Sequence, residues 1–247
     1  MLSYKYEVFS HRNTKCADKP NEDFVAYSKN YNFGMILDGV SRDRENGAYP
    51  NPSPVTQVNK IFSDAIMSIY TEINTKGIQK IYDMIYVANT ELKEFNCLLG
   101  HRFPAGTVGI VFDIQDNIFY YGYVGDCCAI IIRDNNRRTF TECQTDMIAK
   151  YKRQYSSDEI RFKICNHVNH PCGYGVWDGN EYAMDFVKCG SIRIKKGDVI
   201  FMYTDGLHSS VIKKNNIELA ESPLNRLFCG CDEGMDDMSC IRITVIE

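Results

Sequence analysis

Residues 31–40 read Tyr31-Asn32-Phe33-Gly34-Met35-Ile36-Leu37-Asp38-Gly39-Val40. A short apolar run ends on an aspartate and a glycine. The run from Tyr31 to Leu37 has the length and composition of a buried strand, and Asp38-Gly39 marks its end. An aspartate at that place is held rigidly by the strand while its carboxylate meets solvent. The glycine after it lets the backbone turn sharply and exposes a carbonyl. The same figure recurs late in the chain, where Val199 to Thr204 runs into Asp205-Gly206.

Working outward, further strands are expected at Tyr4 to Ser10 and Phe24 to Ser28. Thr107 to Asp113, Ile118 to Val124 and Cys128 to Arg133 are separated by turn-like Asp-Asn and Gly-Asp pairs, the pattern of an antiparallel meander. Ser191 to Ile194 and Ser239 to Ile246 complete the set. A polar, proline-containing stretch from Ser41 to Pro54 reads as a loop.

Two helices follow that loop. Val55, Val58, Ile61, Phe62, Ala65, Ile66, Ile69 and Ile73 recur at three- and four-residue spacing, with Ser53-Pro54 as cap and first turn. After Lys76-Gly77 the residues Ile78, Ile81, Tyr82, Ile85, Ala88, Leu92 and Phe95 repeat the pattern. Each helix has one apolar stripe, so each is expected to cover a sheet. Residues 145–181 read as a short helix and then a mobile, flap-like segment, with Trp177 packing it to the body. A helical stretch is expected from Gly206 to about Phe228. With no linker and no repeat, residues 1–247 are expected to form one domain of sheet layers covered by helices, not alternating βαβ units.

The balance of 44% hydrophobic and 24% charged residues over 247 positions is that of a globular chain able to bury a core. A net charge of -4 lacks the footprint of a general nucleic-acid binder, though a local patch can still meet a phosphorylated partner. No apolar leader and no run of 18 apolar residues is found, so membrane association is not expected and a cytoplasmic setting is. In that setting the 11 cysteines are expected to be reduced, most of them acting as small buried hydrophobes.

Four acidic pairs carry the chemistry: Glu22-Asp23, Asp38-Gly39, Asp205-Gly206 and Asp236-Asp237. Taken singly, each is an ordinary turn. Brought together, the carboxylates would repel one another unless a cation sat among them. Ligation by oxygen alone suits hard ions such as Mg²⁺ and Mn²⁺.

In this order the pairs resemble the metal-dependent Ser/Thr protein phosphatases of type 2C, in their compact bacterial form. The likeness runs over Asn21-Glu22-Asp23, Asp38-Gly39-Val40-Ser41, Gly106-Thr107-Val108, Tyr123-Val124-Gly125-Asp126-Cys127, Thr204-Asp205-Gly206-Leu207 and Asp236-Asp237-Met238-Ser239. The resemblance implies an α+β fold, a four-layer αββα sandwich of two packed antiparallel sheets flanked by helices. It implies two Mn²⁺ or Mg²⁺ ions, with Asp38 bridging both, the Gly39 carbonyl on one, and Asp205 and Asp236 on the other. Glu22 and Asp23 would hold metal-bound waters, Asp126 would be a loop residue, and Asp237 would support Asp236. The implied activity is hydrolysis of phosphoserine and phosphothreonine in proteins by a hydroxide bridging the two ions. No cysteine nucleophile is needed, and no Cys here stands in a Cys-x5-Arg setting.

The departures are specific. The family's phosphate-gripping Arg, four residues before the first-motif Glu, is replaced by Asp18. Lys19, Arg42 and Arg44 are the candidate replacements, an arginine being able to pair with two phosphoryl oxygens. Val40 stands where some members carry His after the Asp-Gly, and Phe103 where a third-metal Asp is expected, which argues against a third ion. These changes keep open the alternative of a pseudophosphatase, a binding module with little activity. Cys165, His167, His170 and Cys172 have a zinc-like composition, but their crowding is wrong for a standard knuckle and they read as ordinary loop side chains.

Overall fold

The computed structural model describes residues 2–15, 18–40, 48–231 and 236–247, all but the side chain of Lys152. Ten strands form two five-stranded antiparallel sheets. The strands are β1 (Ser3–His11), β2 (Asp23–Ser28), β3 (Phe33–Gly39), β4 (Thr107–Gln115), β5 (Ile118–Val124), β6 (Cys128–Arg133), β7 (Asn136–Thr139), β8 (Lys188–Arg193), β9 (Val199–Tyr203) and β10 (Met238–Ile246). One sheet has the order β1-β10-β9-β6-β7 and the other β2-β3-β4-β5-β8.

The central strands alternate between two apolar environments, as a strand buried on both faces must. On β3, Ile36 points between the sheets, where it meets Ile110, Phe112, Met202, Ile241 and Ile243. Its neighbours Met35 and Leu37 point the other way, onto α1 (Pro54–Ile69) and α2 (Gly77–Leu99), against Val55, Phe62, Ile81 and Ile85. On β9, Ile200 and Met202 face the inter-sheet core, while Phe201 and Tyr203 face Leu207, Val211, Leu219 and Leu224 of the C-terminal helical turns. The layers are therefore helix, sheet, sheet, helix. This is the αββα sandwich expected from the resemblance. No helix among the described residues is long and apolar enough to cross a membrane.

Capping positions α1. The Ser53 Oγ accepts from the backbone N–H of Val55 and of Thr56, and Pro54 opens the helix. The expected stretch 206–228 is not one helix but three short ones, His208–Lys213, Asn216–Glu221 and Leu224–Leu227. Asn215 starts the second with a reciprocal cap to Glu218, and Pro223 cannot continue it. Arg242 of β10 ties this layer down: its guanidinium donates to Glu7 and to the carbonyls of Leu219 and Ser222.

The segment 145–181 begins with the expected short helix, Asp146–Tyr151. It is then stitched to the sheet. Thr107 and Trp177 exchange backbone hydrogen bonds, and Asn166 bonds to both the N–H and the C=O of Val176. Trp177 is fully buried and stacks on Phe62 of α1, with ring centroids 4.7 Å apart.

Candidate functional site

The acidic pairs converge at one end of the two sheets. Antiparallel register sets Asp23 of β2 opposite Asp38 of β3. The turn after β9 carries Asp205, and the turn before β10 carries Asp236 and Asp237. Because β9 and β10 are hydrogen-bonded neighbours in one sheet, and β2 and β3 in the other, each sheet contributes two acidic turns to the same edge.

Close backbone approach explains the glycines. A Cβ on residue 39 would overlap Val55 Cγ1 and lie 2.7 Å from the Glu22 carbonyl, to which the Gly39 N–H donates at 3.1 Å. A Cβ on residue 206 would overlap the Asp237 carbonyl. Each Asp-Gly pair is thus tight because another acidic turn packs directly on it.

A polar scaffold holds the carboxylates. Thr204 Oγ1 donates to Asp23 Oδ2 at 2.8 Å, linking the two sheets at the site, and accepts from the Ser239 N–H at 3.0 Å. Glu22 is buried, and its Oε1 accepts from the Tyr49 hydroxyl at 2.5 Å and the Ser53 hydroxyl at 2.6 Å. Asp237 is also buried; it accepts from the N–H groups of Asn13 at 2.7 Å and Glu22 at 2.9 Å, and its own N–H donates to Asp236 Oδ1. The Thr107 hydroxyl donates to the Asp38 carbonyl at 2.9 Å.

The electrostatics are those of crowded anions. Burial first, then the charges of Asp23, Asp205, Asp126 and Asp236, push the Asp38 carboxyl well above the usual carboxylate range. Burial pushes Asp23 up to about 8, against the hydrogen bond from Thr204. Asp205, whose residue reaches solvent, is still pushed up to about 6 by desolvation of its carboxyl and by Asp126 and Asp236, while a hydrogen bond with Asp38 opposes the rise. Asp126 is itself raised, chiefly by burial, and its Oδ2 accepts from the Thr145 hydroxyl at 3.0 Å.

Asp126 lies in the turn between β5 and β6, a loop position as expected. The structure brings its carboxylate within electrostatic reach of Asp38 and Asp205. Asp126 follows Gly125, which takes φ +82° in that turn.

Lys19 lies inside the same centre and is buried. Its ammonium is 3.1 Å from Asp236 Oδ1, 3.4 Å from Asp237 Oδ2 and 3.5 Å from Glu22 Oε2. Burial alone would lower its pKa, but the three carboxylates outweigh that and hold it above the ordinary lysine range. Asp18, at the expected Arg position, accepts from the Tyr49 N–H at 3.1 Å. Arg42 and Arg44 lie outside the described residues.

The donors fit a hard divalent cation in kind. They are carboxylates and a backbone carbonyl, and their mutual repulsion is what such an ion relieves. They are not already closed around a point: among the described residues no three His, Cys, Asp or Glu side chains converge as ion ligands. The nearby Cys127 is fully buried, and its thiol is raised well above the ordinary range by burial and by Asp38, Asp126, Asp23 and Asp205, so it does not compete as a soft ligand.

The cysteine-histidine cluster is structural. His170 Nδ1 accepts from the Cys172 N–H, His167 Nε2 is 2.9 Å from the Phe162 carbonyl, and Cys172 packs on Ile148 and Ile164. The ten described cysteines are free thiols. A groove of about 290 Å³ is lined by Val40, Phe103, Pro104, Ile160, Arg161 and Val176, with the Arg161 guanidinium 4.4 Å from the centre of the Phe103 ring.

No family model and no curated protein matches the sequence. Solved structures do match the fold. The chain is similar to the serine/threonine phosphatase PstP/Ppp of Mycobacterium tuberculosis at a TM-score of 0.70 and 14% identity, over 100% of both chains. A second structure, the PstP catalytic domain in complex with two manganese ions, gives a TM-score of 0.66 at 14% identity, again over 100% of both chains. The serine/threonine phosphatase Stp1 of Staphylococcus aureus gives 0.62 at 16% identity, over 100% of this chain and 96% of that one. The chain thus has the fold of the bacterial type 2C Ser/Thr phosphatases, the fold that its motifs implied.

Proposed function

We propose that the chain is a metal-dependent phosphatase acting on phosphoserine and phosphothreonine in proteins, with two Mn²⁺ or Mg²⁺ ions as cofactors and a phosphorylated protein as partner. The observation that carries this reading is the convergence of Asp38, Asp205, Asp126 and Asp236 from both sheets onto one edge, where the charges of Asp205, Asp126 and Asp236 act on Asp38, and those of Asp126 and Asp236 on Asp205. Similarity to phosphatases in fold supports it.

Asp38 and the Gly39 carbonyl would hold one ion, and Asp38, Asp205 and Asp236 the other, with Asp126 adjoining. When bound, such ions supply an activated water and neutralise the phosphoryl oxygens during in-line displacement. The chain's own contribution is placement. Thr204 and Ser239 clamp Asp23 behind Asp38, and Tyr49 and Ser53 fix Glu22, so both are positioned to orient water at the centre. Arg42 and Arg44, four and six residues after Asp38 in the sequence, remain the proposed phosphate clamp, because Lys19 is already engaged by three carboxylates. The groove beside Val40, whose lining mixes apolar Phe103, Ile160 and Val176 with polar Ser157, Arg161 and Asp178, would receive residues flanking the phosphorylated side chain.

One observation favours the alternative of a pseudophosphatase: Asp18 and Lys19 both depart from a phosphate-gripping role. Phosphate release from a phosphothreonine peptide with Mn²⁺ decides between the two. Turnover that EDTA abolishes and Asp205→Asn removes supports the enzyme. Binding of phosphopeptide without turnover supports the alternative.

A further inference from the structure

We infer that Lys19 is a built-in counter-cation of the acidic centre, so that the Asp236 side binds a divalent ion only in competition with its ammonium. This rests on the reading that Asp236 is a metal ligand.

The three partners of Lys19 differ in kind. Glu22 and Asp237 are each 1% exposed at the side chain, and both are already held by other donors: Tyr49 and Ser53 on Glu22, the N–H groups of Asn13 and Glu22 on Asp237. Two buried carboxylates this close require compensating positive charge. Lys19 supplies it, with its own side chain only 10% exposed. Asp236 differs, since its side chain is 46% exposed while its Oδ1 meets the ammonium at 3.1 Å. Its charge also reaches Asp38, Asp205 and Asp126, so the lysine and the acidic centre share it.

The consequence is an asymmetric centre. The ion that Asp38 and the Gly39 carbonyl would hold does not draw on Asp236 and so binds the more strongly. An ion that also recruits Asp236 meets a fixed positive charge. A dication and an ammonium about 5 Å apart, even at the dielectric of water, repel enough to weaken binding on the order of tenfold.

The test is Mn²⁺ binding by the full chain, measured by calorimetry and by the loss of the free-ion electron paramagnetic resonance signal, with thermal melts across the titration. Wild type is expected to show one strong and one weak ion. Lys19→Met is expected to lower the melting temperature in EDTA, to bind the weaker ion about tenfold more tightly, and to gain more melting temperature from Mn²⁺ than wild type does. Lys19→Arg, which keeps the charge, should retain the weak site. In the Asp236→Asn background, Lys19→Met should leave Mn²⁺ affinity unchanged. A purely structural lysine would lower the melting temperature equally at every Mn²⁺ concentration, and that outcome overturns the inference. So does a Lys19→Met chain that stays unfolded in saturating Mn²⁺, because carboxylates relieved of the lysine should then accept the ion. Failure of wild type to bind any Mn²⁺ sinks instead the metal-centre reading on which this rests.

Discussion

Replacing Asp38 with Asn should stabilise the ion-free protein while destroying its response to metal. Asp38 is half-buried and faces the carboxylates of Asp23, Asp205, Asp126 and Asp236. One like charge about 5 Å away costs about 3 kcal/mol at an effective dielectric of ~20. Protonation of neighbours and partial solvent access reduce the recoverable part, leaving about 2 kcal/mol as the gain from removing one charge. Asn is isosteric, and its amide can donate to Asp205, so the Asp38–Asp205 hydrogen bond need not be lost. For a chain of this length a gain of that size raises Tm by roughly 4–8 °C. Differential scanning calorimetry in EDTA at pH 7.5 measures it, and a second scan with millimolar Mn²⁺ tests the other half. Wild type should rise with Mn²⁺ and Asp38→Asn should rise far less. An Asp38→Asn protein that melts at or below wild type in EDTA would refute the claim that the acidic edge is electrostatically strained.

Gly39→Ala should destabilise by about 2–3 kcal/mol through overpacking, because the new Cβ overlaps Val55 and presses on the Glu22 carbonyl; chemical denaturation measures this, and a change below 0.5 kcal/mol contradicts the packing described. Arg242→Met should cost about 3 kcal/mol by orphaning the Leu219 and Ser222 carbonyls and the Glu7 carboxylate, with no change in Mn²⁺ affinity. Burial raises Asp178 to about 6, above its unfolded value, so its protonation stabilises the segment fully below about pH 4 and that stability is lost as pH rises through 6. Hydrogen exchange of residues 157–178, corrected for intrinsic rate, should therefore lose protection between about pH 4 and 6.5 in wild type and much less so in Asp178→Asn.

The layered fold was legible because its strands are buried on both faces. Apolar runs such as Met35-Ile36-Leu37 need no tertiary information to be recognised, and the stripes of α1 and α2 state which face meets a sheet. The Asp-Gly pairs were legible for the same reason: a carboxylate at a strand end has few places to point. What escaped was set by long-range geometry. β7, Asn136–Thr139, is a polar edge strand held partly by Arg137, which donates to Asn216 and to the carbonyls of Val211 and Lys214. Nothing local in Asn-Arg-Arg-Thr announces that pairing. The extra length of β8, from Lys188, likewise comes from its register with β5. Asp126 joins the centre because a left-handed glycine and Thr145, nineteen residues away, aim it there. Lys19 reads as a phosphate-gripping candidate beside a lost arginine; only the meeting of residues 18–22 with the turn before β10 sets it against three carboxylates.

The most direct test of the metal centre is a crystal structure of the Mn²⁺-soaked protein with anomalous data collected at the manganese edge. Anomalous peaks are expected between the Asp38 and Asp205 carboxylates and the Gly39 carbonyl, with the peak nearer Asp236 the weaker. Absence of any peak among these residues at saturating Mn²⁺ would contradict the metal centre.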